Sequence, residues 1–227
     1  MTSYKIPAAI VFAGIVIAAA LYVSIPKKAV PVQSLRPELL NPVTAQDHIL
    51  GNPLAPVVIV EYCDFDSTYC SGFHDALRQL IANQGTSGKV AWVFREFPLT
   101  ELHQNAEILA QAAECAASST RSDATASNNA FWNFSDALFK SQPVVPSSLG
   151  TVAALAGISG TSFASCYANP PETVTARVAA DRKNALDMGA TGVPFSILIA
   201  QGKNPIVLDG AYTFDDLKGL INQALRK

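Results

Sequence analysis

The chain has 227 residues, of which 49% are hydrophobic and 15% charged, with a formal net charge of −2 at pH 7. That length holds one well-buried domain of ordinary size with some chain to spare. No basic block and no basic–aromatic interleaving is present, which argues against nucleic acid as a partner. The apolar excess gathers at the N-terminus, in "IPAAIVFAGIVIAAALYVSI", Ile6 to Ile25, which holds no charge over 20 residues. A helix of that length is expected to cross a hydrocarbon layer of roughly 30 Å. The reading is a single-pass anchor at residues 6–25 in a cell membrane, with residues 1–5 as a short cytoplasmic tail and the main domain extracytoplasmic. A cleaved signal peptide is the alternative, since "AAALYVS" offers small residues at about the right distance. Residues 26–47, rich in proline, read as a linker to a domain at 48–227.

"GNPLAP" supplies turn residues before "VVIVEYC", Val57 to Cys63, a β-branched run that suits a strand buried on both faces. Phe73, Leu77, Leu80 and Ile81 then form one apolar stripe at helical spacing. Ser67 stands just outside it as a favoured N-cap, and Cys70 extends the stripe inward. "NQGTSGK" ends this helix and "VAWVFREF", Val90 to Phe97, reads as a second strand, parallel to the first. Leu102, Ala106, Leu109, Ala113 and Ala117 mark a further helix, and polar "SSTRSDATASNN" reads as a loop. Three helical segments follow, and after Pro170 and Pro171 a polar helix reaches about Met188. No stretch over 101–189 reads as a strand, so this region is expected to be a helical insertion. Strands return in "GVPFSILIA" and "NPIVLDG". The last helix is capped by Thr213, with Asp216 at N3 completing a capping box.

Four cysteines, Cys63, Cys70, Cys115 and Cys166, lie beyond the apolar segment, an arrangement suited to an oxidising compartment. In "EYCDFDSTYCSGFH", Cys63 ends the strand and Cys70 is about the third residue of the helix. Exposed helix N-terminal donors there favour a thiolate, while two packed apolar cysteines remain the plain alternative. Cys70 and His74, four apart on one helix face, offer with Cys63 a set suited to copper or zinc, against core packing of His74 as the simpler role. Glu61 is costly inside an apolar strand unless paired, so it either lies at an exposed strand end or holds its proton. Arg95 and Glu96 are its candidate partners, or rim charges. Val193 and Pro194, directly before a strand, are awkward as ordinary ladder residues.

Taken together, "DHILGNPLAPVVIVEY", "DF…YC…FH", "GKVAWVFREFPL", "LHQNAEILAQAAECA", "FASCYANP", "GVPFSILI" and "DGAYTFDDLKGLI" resemble the DsbA-like thiol-disulfide oxidoreductases of the thioredoxin superfamily, in their membrane-anchored bacterial branch. The likeness covers nearly everything from Asp47 onward. It implies an α/β thioredoxin-like core with an inserted helical subdomain, here preceded by one transmembrane helix. It also implies a cis Pro194 whose neighbour Val193 faces the redox motif, and Glu61 as a proton acceptor beneath the inner thiol. Cys115 and Cys166 fall at family positions where a structural disulfide occurs. The family usually reads Asp-Phe-x-Cys-Pro-x-Cys where this chain reads "DFDSTYC". Ser67 thus takes the place of the attacking cysteine, and a serine hydroxyl without an adjacent base is a poor nucleophile. Three expectations follow: an atypical oxidoreductase acting on protein thiols at Ser67-Thr-Tyr-Cys70, with Cys63 as a rescuing thiol; a redox-inactive peptide-binding module; or a copper or zinc carrier. The partners implied are protein or peptide thiols, a membrane redox partner, and the membrane itself through the N-terminal helix. No cofactor is implied.

Overall fold

The computed structural model describes residues 35–119, 124–158 and 160–226. Three strands come first, β1 (His48–Gly51), β2 (Val57–Cys63) and β3 (Val90–Glu96), with β4 (Phe195–Ala200) and β5 (Ile206–Asp209) after a long helical stretch. They form one sheet in the order β1-β3-β2-β4-β5. β2 is central, parallel to β3 and antiparallel to β4, while β1 and β5 close the two edges as antiparallel neighbours of β3 and β4. Every residue of β3 is buried, and in β2 all but Val58. Such burial is what a continuous β-branched run predicts for a strand covered on both faces.

The connection from β2 back to β3 is α1 (Thr68–Gln84). Phe73, Leu77 and Leu80 are fully buried on its inner stripe. Each such side chain stabilises the fold by about 1.5–3 kcal/mol relative to an exposed position. Beyond the helix, Gly88 adopts φ 72°, a left-handed turn that glycine takes without steric cost, and the chain enters β3. Between β3 and β4 lie α2 (Ala106–Ser119), α3 (Ala124–Lys140), α4 (Leu149–Leu155), α5 (Thr161–Ala168) and α6 (Glu172–Asp187), and α7 (Phe214–Leu225) ends the chain. One core joins Ile59, Trp92 and Leu198 of the sheet to α1, α7 and the helices α2 to α4. A second, on the opposite face, joins Val60, Val93 and Ile197 to Ala185 and Met188. Cys115 of α2 and Cys166 of α5 are bridged, with Cα atoms 5.6 Å apart.

Three details differ from the sequence reading. β1 was not anticipated: four residues with no clear alternation carry too little pattern, and only pairing with β3 reveals them. Leu102 precedes α2 and is exposed rather than on its inner face. The polar stretch 118–129, expected as a loop, is helical at both ends, where α2 reaches Ser119 and α3 runs from Ala124. In α3 the Asn128 amide donates to the Ile49 carbonyl and its oxygen accepts the Ile49 N–H, so this polar residue holds the sheet edge.

The expected transmembrane anchor at 6–25 lies outside the described residues. Among the described residues no helix is long and apolar enough to cross a membrane. The longest helices have 17 residues and carry charges, among them Asp75 and Arg78 in α1. The fold class is therefore corrected to an α/β thioredoxin-like core with added helices. The single-pass location, the membrane contact through an N-terminal helix and the membrane-anchored branch are corrected for the described residues, which hold no helix to carry them.

Candidate redox site

Cys63 closes β2, and Cys70 is the third residue of α1. The two are joined by a disulfide with Cα atoms 5.8 Å apart, within the range that bridging allows. The expectation that Ser67 leaves the site without its usual attacking thiol is thereby corrected, because Cys63 supplies the second sulfur. Ser67 has another task. Its side chain accepts the Cys70 N–H at 3.4 Å as the N-cap of α1, and the residue is buried. A hydroxyl committed to an orphan helix donor is a structural group.

The segment between the two cysteines is held on several sides. The Asp64 N–H donates to Cys70 Sγ at 3.2 Å. The Asp64 carboxylate accepts from the Asp66 and Leu99 N–H groups, each at 2.8 Å, and pairs with His103 Nδ1 at 2.9 Å. Phe65 stacks on Phe94, with ring centroids 5.0 Å apart. The Gln142 amide donates to the carbonyls of Phe65 and Ser67 at 2.7 and 3.2 Å. Both Cys63 and Cys70 are fully buried, whereas Tyr69 next to them is 72% exposed.

The flanking strands complete the setting. Tyr62 pairs with Phe195 in β4, so extending that register by one residue sets Pro194 beside Cys63. The Val193–Pro194 bond is cis, and Val193 packs against both cores. On the other side Cys63 pairs in register with Glu96 of β3, and the Cys63 carbonyl accepts the Phe97 N–H. Glu61, two residues before Cys63 and therefore on the same sheet face, is fully buried. Burial pushes its carboxyl up to about 8, with partial relief from the Trp92 indole N–H, which donates to it at 2.8 Å. Its second oxygen has no hydrogen-bond partner.

Neither Arg95 nor Glu96 bonds to Glu61. Arg95 projects to the opposite face, pairs with Asp47 at 2.9 Å and donates to the Tyr62 hydroxyl at 2.8 Å. His74 is likewise elsewhere: its Nε2 meets Asp136 at 2.6 Å, and its ring lies against Trp92 and Phe139. With that nitrogen engaged and both cysteine sulfurs bonded to each other, the copper or zinc set at Cys63, Cys70 and His74 does not assemble. Among the described residues no group of three or more His, Cys, Asp or Glu side chains is placed to hold a metal ion. The carrier reading is withdrawn, and the redox-inactive reading loses its ground, a missing second thiol, because Cys63 is paired with Cys70.

Asp64 and Gln142 were missed as site residues. Asp64 is visible in hindsight as the first residue of the "DF" that precedes the helix. Gln142 carries no local signal, because its role depends on a contact across 77 positions of sequence.

Comparison with known proteins agrees with this fold. Na(+)/H(+) antiporter NhaA 3 of Salinispora tropica is 37% identical over 106 residues, which are 46% of this chain and 14% of the antiporter. NhaA 1 of Mycolicibacterium gilvum is 34% identical over 113 residues, 49% of this chain and 16% of that protein. The chain thus spans a small fraction of the length of the curated relatives it matches. Among solved structures, Wolbachia pipientis alpha-DsbA1 superposes with a TM-score of 0.67 at 22% identity, covering 82% of this chain and 94% of that one. Pseudomonas aeruginosa DsbA2 gives 0.63 at 20% identity, with 81% and 96% covered. At these identities the likeness shows the fold alone. The family model described as Thioredoxin matches residues 43–223, and on that match the chain belongs to the thioredoxin family.

Proposed function

We propose that the protein is a thiol–disulfide oxidoreductase acting on protein or peptide thiols, with Cys63 and Cys70 as its redox couple. The observation that carries this reading is their disulfide at the junction of β2 and α1, beside the cis Pro194. The two sulfurs have different surroundings. Cys70 lies in the first turn of a 17-residue helix and accepts the Asp64 N–H, and both features favour its thiolate. Cys63 ends a strand among acidic groups, which favours the protonated thiol.

This asymmetry sets the direction of attack. A client thiolate forms a bond to Cys63 Sγ, the Cys63–Cys70 bond breaks, and Cys70 leaves as the better-stabilised thiolate. The second client thiolate then attacks the client sulfur of the mixed disulfide. The client disulfide forms, Cys63 is released and takes a proton, and the two electrons from the client dithiol remain on the cysteine pair. The reverse sequence reduces a client. Glu61, whose buried carboxyl is pushed up to about 8, exchanges a proton with the inner thiol, Cys70. Because both sulfurs are covered, exchange follows movement of residues 64–67, and the exposed Tyr69 borders that opening. A second bridge, Cys115–Cys166, fits residence in an oxidising compartment.

The test is insulin reduction coupled to dithiothreitol, together with disulfide mapping by mass spectrometry in glutathione buffers of graded potential. C63A and C70A should each lower exchange at least tenfold, and the 63–70 bridge should cycle with the buffer. Full activity in both variants would overturn the reading.

A further inference from the structure

Glu96 is the last residue of β3 and is 1% exposed, yet neither carboxyl oxygen has a hydrogen-bond partner. A buried carboxyl with both oxygens unsatisfied costs several kcal/mol as an anion, and in practice such a group keeps its proton. Burial does push the Glu96 carboxyl well above the usual carboxylate range, reinforced by the negative field of Glu114, Asp181 and Asp64. Its place relative to the redox couple is set by the sheet. Cys63 and Glu96 are register partners in the parallel β2–β3 ladder. Trp92 reaches Glu61 across the same ladder, which puts Trp92 and Glu61 on one face. Alternation then puts Glu96 and Cys63 on that face too, as direct neighbours.

Resting on the assignment of Cys63–Cys70 as a redox couple, we infer that Glu96 is the proton-exchange partner of Cys63. When Cys63 is released from a mixed disulfide, the Glu96 carboxylic acid gives its proton to the departing sulfur. The carboxylate left behind regains a proton from the medium, which has received one from the client thiol, so no further reactant is needed. Asp181 adjoins Glu96 through the backbone, without bonding to its carboxyl. Its carboxylate accepts the Glu96 N–H at 3.3 Å, it is only partly buried, and its own carboxyl is pushed up to about 7, chiefly by burial. The groups facing Glu96 are Cys63 on β2, Asp64 with its partner His103 after that strand, Glu114 with its partner His48 from α2 and β1, and Arg177 and Asp181 on α6. Arg177 is the lone fixed cation of this set and is already paired with Glu114 at 2.8 Å. Its remaining field therefore does little to hold a Cys63 thiolate, which makes a neighbouring acid useful there.

Two measurements on the full chain test this. Carbon-13 NMR of the Glu96 carboxyl, assigned by through-bond correlation to the Glu96 backbone amide, is followed against pH with the 63–70 bridge closed and after reduction with a trialkylphosphine. The alkylation rate of Cys63 is followed against pH in C70S and in C70S/E96Q. We expect the Glu96 midpoint to move by a pH unit or more between redox states, and the Cys63 midpoint to fall by a similar amount when Glu96 is replaced. A merely structural glutamate would move neither. An unchanged Glu96 midpoint overturns the inference even if E96Q does not fold, because the NMR comparison needs only the native chain. If the midpoints move but the protein exchanges no disulfide with dithiols, the proton coupling stands and the oxidoreductase reading fails. If exchange is intact and the midpoints are fixed, the reverse holds.

Discussion

Glu61 shows what one buried acid does to the whole chain. Its carboxyl titrates near 4.5 when solvated and at about 8 in the fold, so the native state holds a proton that the unfolded chain gives up. The contribution to stability is therefore complete below about pH 4.5 and is lost as the pH rises towards 8. Replacing Glu61 by glutamine removes the ionisation and keeps an oxygen for the Trp92 indole. E61Q and the native protein should match in denaturant stability at pH 4, and E61Q should gain steadily above that, by a few kcal/mol at pH 8. A constant difference across this range would show that Glu61 does not hold its proton in the fold. The sequence exposed the problem, a carboxyl inside "VVIVEYC", but offered two outcomes, an edge-facing charge or a held proton. Trp92 and Ser196, the neighbours that decide between them, come from strands 31 residues downstream and beyond the helical insertion.

At the level of elements, α1 carries the correction that matters most. Its apolar stripe and its N-cap are written in local spacing, and both are present as the pattern implies. What spacing does not convey is that the loop from Cys63 to Ser67 folds back, so that two cysteines seven positions apart meet. Reading Ser67 as a lost thiol came from comparing motif positions, and motif position says nothing about which sulfur another strand end brings near. β1 is the opposite case, a short element legible only through its partner. The cap itself is testable. S67A should destabilise the protein by about 1 kcal/mol, the usual cost of losing such a cap. It should leave the glutathione equilibrium of the 63–70 pair unmoved. A shift of that equilibrium by tenfold or more would return Ser67 to the chemistry.

Across the molecule, the two disulfides divide the labour by loop length. The Cys115–Cys166 bridge has a sequence separation of 51 and the Cys63–Cys70 bridge one of 7. Restricting the unfolded chain by the longer loop is worth about 4 kcal/mol, and by the shorter one about 2 kcal/mol, on the loop-entropy estimate. The longer bridge also joins α2 to α5, the helix whose only fully covered side chain is Phe163, so the bridge supplies attachment that packing does not. The shorter one lies in a core already held by Phe65, Phe73 and Phe94, all buried. Opening it during exchange therefore removes the smaller part of the cross-link stabilisation. C115A/C166A should lose about 4 kcal/mol in urea unfolding, roughly twice the loss in C63A/C70A. It should still catalyse insulin reduction at the native rate below its unfolding transition. If the order were inverted, with the 63–70 pair dominating stability and C115A/C166A inactive while folded, the assignment of one bridge to structure and the other to chemistry would have to be exchanged.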